Sequence, residues 1–325
     1  MKACDICGTM NFKENNFCTH CGNRFVSEHV CPYCGQINLN DATHCVKCKK
    51  QINPVEINSF KVLFSQYNIQ LLLNAEISDR DYGLLLSELF MRADYVDIWG
   101  ETIKNRILNF AGIFTECQAK SRGYERGFIF LGNAIYYDDR LSDSVQIATI
   151  IHELAHYILF AIIENMLCDI FKVRPSSTIQ SFIWYFLTLP EFKLMNEYCA
   201  HTVEGRFIPY GYQNYGSFNA LVENSNLDEE SLKSMIIMGN SFANEIIVYL
   251  EKYIDEDLRN EIKLQYQKDS ASPNYESIFT DTDECIDLSL KNRILLNLLG
   301  DVFVEVSNSE ARKELEIIKE GIESS

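Results

Sequence analysis

The sequence predicts an α+β protein: a mainly helical body with one small sheet, preceded by a short N-terminal segment that needs metal to fold. Three observations carry this. Eight of the twelve cysteines fall in the first 48 residues, in a strict repeat. Apolar residues recur at helical spacing through most of residues 59–325. One run in that body, FIFLGNAIYYDD at 128–139, is dominated by aromatic and β-branched residues and reads as a strand.

The cysteines stand at Cys4, Cys7, Cys18 and Cys21, then at Cys31, Cys34, Cys45 and Cys48, so the second set is the first displaced by 27 residues. In a reducing compartment such a cluster means metal rather than disulfides. Four thiolates at about 2.3 Å from one ion make a closed tetrahedral site. Glycine follows Cys7, Cys21 and Cys34, where it lets the knuckle backbone turn its N–H groups toward the thiolates. Units this short cannot build a core, so the metal must supply much of the folding energy. Phe12, Phe17 and Phe25, and Ile37 and Leu39, are the expected apolar packing. The pattern resembles the zinc ribbon family in tandem over residues 1–50, which implies two structural zinc ions. Residues 51–58 read as a linker around Pro54.

Charge separates the two parts. Residues 1–50 hold six Lys/Arg against four Asp/Glu, so the remaining 275 residues carry −19 of the net −17. An acidic body is a poor match for a phosphate backbone, which argues against nucleic acid as a partner. The ribbons carry modest charge and no aromatic-basic stripe, so a protein partner suits them better. MKACDICGTM carries no apolar run of a secretory signal, and the greasiest windows, 147–163 and 179–189, are interrupted or short for a membrane span. The expectation is a cytoplasmic protein.

In the body the periodicity predicts helices over 59–74, 81–92 and 95–112, then the 128–139 strand, then a helix over 143–165 capped by Ser142 or Asp143. Further helices are expected over 177–188, 190–207, 229–262, 284–298 and 307–320, with 263–283 as a loop.

The 143–165 helix contains TIIHELAHYIL, residues 149–159. His152 and His156 are four apart and share a face, so both can reach one ion. Glu153 turns toward the open side of that ion, where it can move a proton between water and a leaving amine. The bland alternative is three polar residues with local partners. The helix around them is heavily apolar, and burying these groups unpartnered would cost several kcal/mol. A metal removes that cost.

A third ligand must come from downstream. In MNEYCAHTVEGRF, residues 195–207, a helix puts Glu197, Ala200, His201 and Glu204 on one face. Glu197 is the first candidate, His201 the rival, and Glu204 most simply a surface or supporting carboxylate. At this point the body resembles a zinc-dependent metallopeptidase of the gluzincin kind over roughly residues 125–210. His152, Glu153 and His156 match its motif, and Glu197 with Ala200 matches its downstream Glu-x-x-Ala. The resemblance implies a zincin-like domain over 59–325, one catalytic Zn2+, Glu153 as general base, and a protein or peptide substrate paired with the 128–139 strand as a cleft edge. It departs after Ala200: many members have Asp there, and this chain has His201. That change removes a carboxylate that would orient a ligand histidine, or supplies a histidine for the oxyanion. Tyr210, Tyr212 and Tyr215 are expected as loop anchors, one of them able to line the cleft. A different class stays open, a non-hydrolytic zincin-fold adaptor or sensor.

Overall fold

The computed structural model describes residues 2–3, 9–11, 20, 28–31, 35–39, 45–48, 55–91, 93–95, 98–115, 120–121, 127–130, 134–273, 275, 282–308 and 310–324. It divides into two compact units, Met1–Glu56 with Lys172–Arg174, and Ile57–Phe171 with Pro175–Ser325.

In the first unit, β1 (Lys2–Ala3) pairs antiparallel with β2 (Met10–Asn11), and β3 (Glu28–Val30) with β4 (Ile37–Leu39). The cysteine repeat extends to this pairing. Lys2 faces Asn11 and Ala3 faces Met10; 27 residues later His29 faces Asn38 and Val30 faces Ile37. The same register twice is what one small fold written twice produces. A third pair, β5 (Val55–Glu56) with β9 (Val173–Arg174), is parallel, so the end of the expected linker is a strand. Ile37 is 50% exposed and does not pack as expected, because alternate strand residues face opposite sides.

The second unit is built of helices: α1 (Phe60–Leu63), α2 (Gln66–Leu73), α3 (Asp79–Phe90), α4 (Ile103–Thr115), α5 (Asp143–Phe171), α6 (Ser177–Thr188), α7 (Pro190–Phe207), α8 (Gly216–Asn224), α9 (Glu229–Leu250), α10 (Glu256–Lys268), α11 (Leu288–Ser307) and α12 (Arg312–Ser324). One small sheet accompanies them, with β8 (Ala134–Tyr137) between β6 (Lys120–Ser121), parallel to it, and β7 (Gly127–Phe130), antiparallel. The 128–139 run is therefore two strands of a sheet rather than one edge strand. β8 is central, and Ile135 faces Ile129 across the pair.

Helix α5 is the core element. It is buried on nearly all sides, and His152, Glu153 and His156 interrupt its apolar middle. The backbone carbonyl of Ser142 accepts the first helical hydrogen bond, from Gln146 N–H at 3.0 Å. Ser144 N–H donates to Asp269 Oδ2 at 2.8 Å, which satisfies an orphan donor of the first turn. The helix runs six residues beyond its expected end because Met166, Leu167 and Phe171 still find core, and it stops where Lys172 takes a left-handed φ of 56°. At 29 residues it is long and apolar enough to cross a membrane, longer than the sequence windows suggested. Two thirds of its apolar window is buried by the protein itself, the condition of a core helix.

Two neighbours place the site. Helix α6 ends at Thr188, and Pro190 opens α7 as its first residue, where its missing N–H costs nothing. The chain thus turns sharply and lays α7 against both α5 and α9. The approach to α9 is close at Gly239, where a Cβ would sit 2.6 Å from the Met195 carbonyl oxygen.

Candidate metal centre

On α5 the four-residue spacing brings His152 and His156 together, with their Nε2 atoms 3.1 Å apart. Their outer nitrogens are both engaged. His152 Nδ1 donates to Glu204 Oε2 at 3.1 Å, and His156 Nδ1 donates to Asn196 Oδ1 at 2.8 Å. A carboxylate and an amide oxygen can only accept, so both rings carry a proton on Nδ1 and turn Nε2 toward the site. At this distance the two nitrogens need either a proton or a metal cation between them.

Helix α7 supplies the other half. Glu197, His201 and Glu204 follow at i, i+4 and i+7 along one face. Glu197 Oε2 is 3.7 Å from His152 Nε2, and Glu197 Oε1 is 3.8 Å from His156 Nε2. Ligand atoms about 2.1 Å from one tetrahedral zinc lie about 3.4 Å apart. Measured to the two carboxylate oxygens, the spacings among His152, His156 and Glu197 lie on either side of that value, so the donor types and their layout are compatible with zinc. His201 Nε2 is 3.9 Å from Glu197 Oε2, and His152, Glu197 and His201 form a group whose donor atoms all lie within 4.8 Å.

Burial alone would pull the His152 pKa down, but Glu197 and Glu204 outweigh it and hold it up at about 10. Burial would raise Glu197, yet His152, His156 and His201 around it keep its carboxyl well below the usual range. Burial pushes Glu153 up, with His156 and His152 opposing. His201 is pushed down by burial and by His152.

These groups line a cleft of about 400 Å³, within the range of small-ligand sites. Glu153, 7% exposed, lies on its wall. Trp184, Leu187 and Thr188 of α6 form an apolar side, and Lys193, Asn214 and Ser217 complete the lining.

The structure thus brings together His152, Glu153, His156, Glu197 and His201 as the sequence leads one to expect. It also gives work to residues that sequence reasoning undervalued. Glu204 is 2% exposed and serves the outer nitrogen of His152, so of its two expected readings the supporting carboxylate holds and the surface one does not. Its place seven residues after Glu197 was the readable signal. Ser217, whose Oγ is 2.9 Å from His201 Nε2, sits on a helix the sequence reading missed, and Asn196 offered no signal at all. Tyr215 packs its ring against His201 with centroids 5.4 Å apart, while Tyr212 bonds the Ala271 carbonyl and Tyr210 is 84% exposed. Asp138, at the end of the 128–139 run, is held by Arg140, with Nε at 2.9 Å and Nη2 at 2.7 Å.

In the first unit Cys31, Cys45 and Cys48 form a second group able to hold a metal. Cys31 and Cys48 Sγ are 3.6 Å apart, and Cys45 Sγ accepts from the N–H groups of Lys47 and Cys48 at 3.4 and 3.5 Å. Gly35 takes a φ of 68°, the left-handed turn expected after a Cys-x-x-Cys knuckle. Cys4, Cys7, Cys18, Cys21 and Cys34 lie outside the described residues.

No protein-family model, curated protein or solved structure matches the chain.

Proposed function

We propose that the chain is a zinc-dependent metallopeptidase of the gluzincin kind, with a zincin-like helical domain behind two zinc ribbons, that hydrolyses peptide bonds in a protein substrate. The observation that carries this is the triangle of His152 Nε2, His156 Nε2 and the Glu197 carboxylate on the wall of a cleft that also presents Glu153. These three residues would hold the ion. When bound, zinc supplies a Lewis acid that makes water nucleophilic near neutral pH. Glu153 takes the proton of the attacking water on its carboxylate and hands it to the leaving amine nitrogen, a role that its burial and raised proton affinity suit. Glu204 and Asn196 hold the two imidazoles in the tautomer that leaves Nε2 free.

The Cys31, Cys45 and Cys48 group supports one structural zinc in the second ribbon, with Cys34 as the fourth thiolate. The shared register of the two strand pairs extends the same reading to Cys4, Cys7, Cys18 and Cys21. Ribbons of this kind would present a surface to a protein partner. Cysteine use of this sort fits a reducing, cytoplasmic setting.

A second reading, a non-hydrolytic adaptor or sensor, is favoured by one observation. If His201 joins the ligands, the ion has four protein donors and no open position, as in structural sites.

Elemental analysis and a peptide-hydrolysis assay separate the two. The expected result is three zinc ions per chain, two in the His152→Ala/His156→Ala double variant. Glu153→Gln should keep all three and lose about 10²- to 10⁴-fold in rate. Undiminished hydrolysis by Glu153→Gln would remove the mechanism, and two zinc ions in both proteins, with none taken up on addition, would remove the site.

A further inference from the structure

His201 is poised between two neighbours. Its Nε2 is 2.9 Å from Ser217 Oγ and 3.9 Å from Glu197 Oε2. Its other nitrogen, Nδ1, is buried without a hydrogen bond, 3.6 Å from Glu204 Oε2. Ser217 is therefore the hydrogen bond that fixes this ring. In either tautomer the contact occupies Nε2: the nitrogen accepts the hydroxyl proton, or it donates its own proton to the hydroxyl. Neither leaves a lone pair for a metal.

The hydroxyl is firmly placed. Ser217 lies in the first turn of α8, and Phe218 and Val222 of that helix pack into one cluster with Leu194 and Tyr198 of α7. The helix that carries Ser217 is thus keyed to the helix that carries His201. Tyr215 closes the ring from a further direction. The 3.9 Å from His201 Nε2 to Glu197 is only about half an ångström beyond the ligand spacing of a tetrahedral zinc site. A small rotation of the ring would close that gap.

We propose that Ser217 is a positioning residue that holds His201 off the metal, and that His201 is a latent fourth ligand. The chain would carry its own means of closing the site: with the Ser217 contact made, one position stays open for water; with it broken, His201 fills that position. The inference rests on the metal-site reading above.

The test uses the full chain with zinc in the ribbons and Co2+ at the histidine site, in the wild type, Ser217→Ala, Ser217→Thr and Ser217→Ala/His201→Ala. Pulsed EPR counts the imidazoles on cobalt, and release to a chelator reports how closed the site is. The wild type should show two imidazoles. Ser217→Ala should show three and release cobalt on the order of tenfold more slowly. Ser217→Thr keeps the hydroxyl and should match the wild type. The double variant should return to two imidazoles and the wild-type release rate, a reversal that mere loss of packing would not give. Two imidazoles and unchanged release in Ser217→Ala overturn this inference alone, as do three imidazoles in the wild type. A wild type that takes up no cobalt at the histidines overturns it together with the metal site.

Discussion

Glu204 shows how a single position changes the reading of a motif. The gluzincin resemblance leads one to look for a carboxylate directly after Ala200, and this chain has His201 there. The carboxylate is nonetheless present, one helical turn further along the same face, and it accepts from His152 Nδ1 at 3.1 Å. Being almost fully buried, it is a charge the fold would not tolerate without a cationic partner nearby. The amide of Glu204→Gln can still accept from His152 but brings no charge, so the imidazole becomes a weaker base. Metal affinity at the histidine site should fall about 10- to 100-fold, with any metal held by the cysteines unaffected. Competition with a graded set of chelators measures this, and an unchanged affinity would reduce Glu204 to a structural carboxylate. Asn196→Ala should weaken the site by the same route, through His156.

At the scale of elements, the two helices on either side of Pro190 were the more legible ones. The expected helices at 177–188 and 190–207 match α6 and α7, because Pro190 marks the junction and α6 carries an apolar stripe at helical spacing. The misreadings came where local signals compete. Residues 229–262 hold two helices, since Asp255 caps α10 with its side chain accepting from Leu258 N–H at 3.0 Å. Gly216–Asn224 starts at the end of the loop expected around Tyr210, Tyr212 and Tyr215, and the burial of Phe218 and Val222, four apart, makes it helical. No periodicity could show that this helix brings a hydroxyl to His201, which depends on tertiary packing. The contact between α7 and α9 is likewise invisible in sequence, yet it sets where Glu197 stands. Gly239→Ala should gain about 1 kcal/mol of helix propensity. Its Cβ, however, would meet a backbone oxygen at 2.6 Å, and overpacking costs about 1–3 kcal/mol or more when the neighbour cannot rotate away. Met195 lies two residues before Glu197, so α7 must move. The expected outcome is a lower Tm and weaker metal binding together; a variant as stable as the wild type would show that the two helices separate freely.

Across the whole molecule, one polar cluster ties together helices far apart in the chain. Lys291 of α11 is fully buried, and its Nζ lies 2.6 Å from both Glu245 oxygens on α9 and 3.0 Å from Tyr82 Oη on α3. Tyr82 donates to the same carboxylate at 2.7 Å. In a chain of net charge −17 a lysine is a natural counter-ion, but burying it is expensive. Burial pulls the ammonium down, Glu245 pulls it back, and the pKa settles at about 8. An unfolded lysine titrates at about 10.4. Between these values the unfolded chain binds the extra proton, so stability should rise with pH across that window. Tyr82, itself raised by burial and by Glu245, opposes this only above about pH 10, where an unfolded tyrosine ionises. Glu245→Gln removes the charge that holds the lysine protonated and leaves burial to act alone. The lower edge of the window should then move below pH 8, and the variant should lose most stability at pH 7 and recover part of it by pH 9. Urea unfolding at a series of pH values in that range measures both slopes. Equal slopes for the two proteins would mean that Lys291 keeps its proton by contacts other than Glu245.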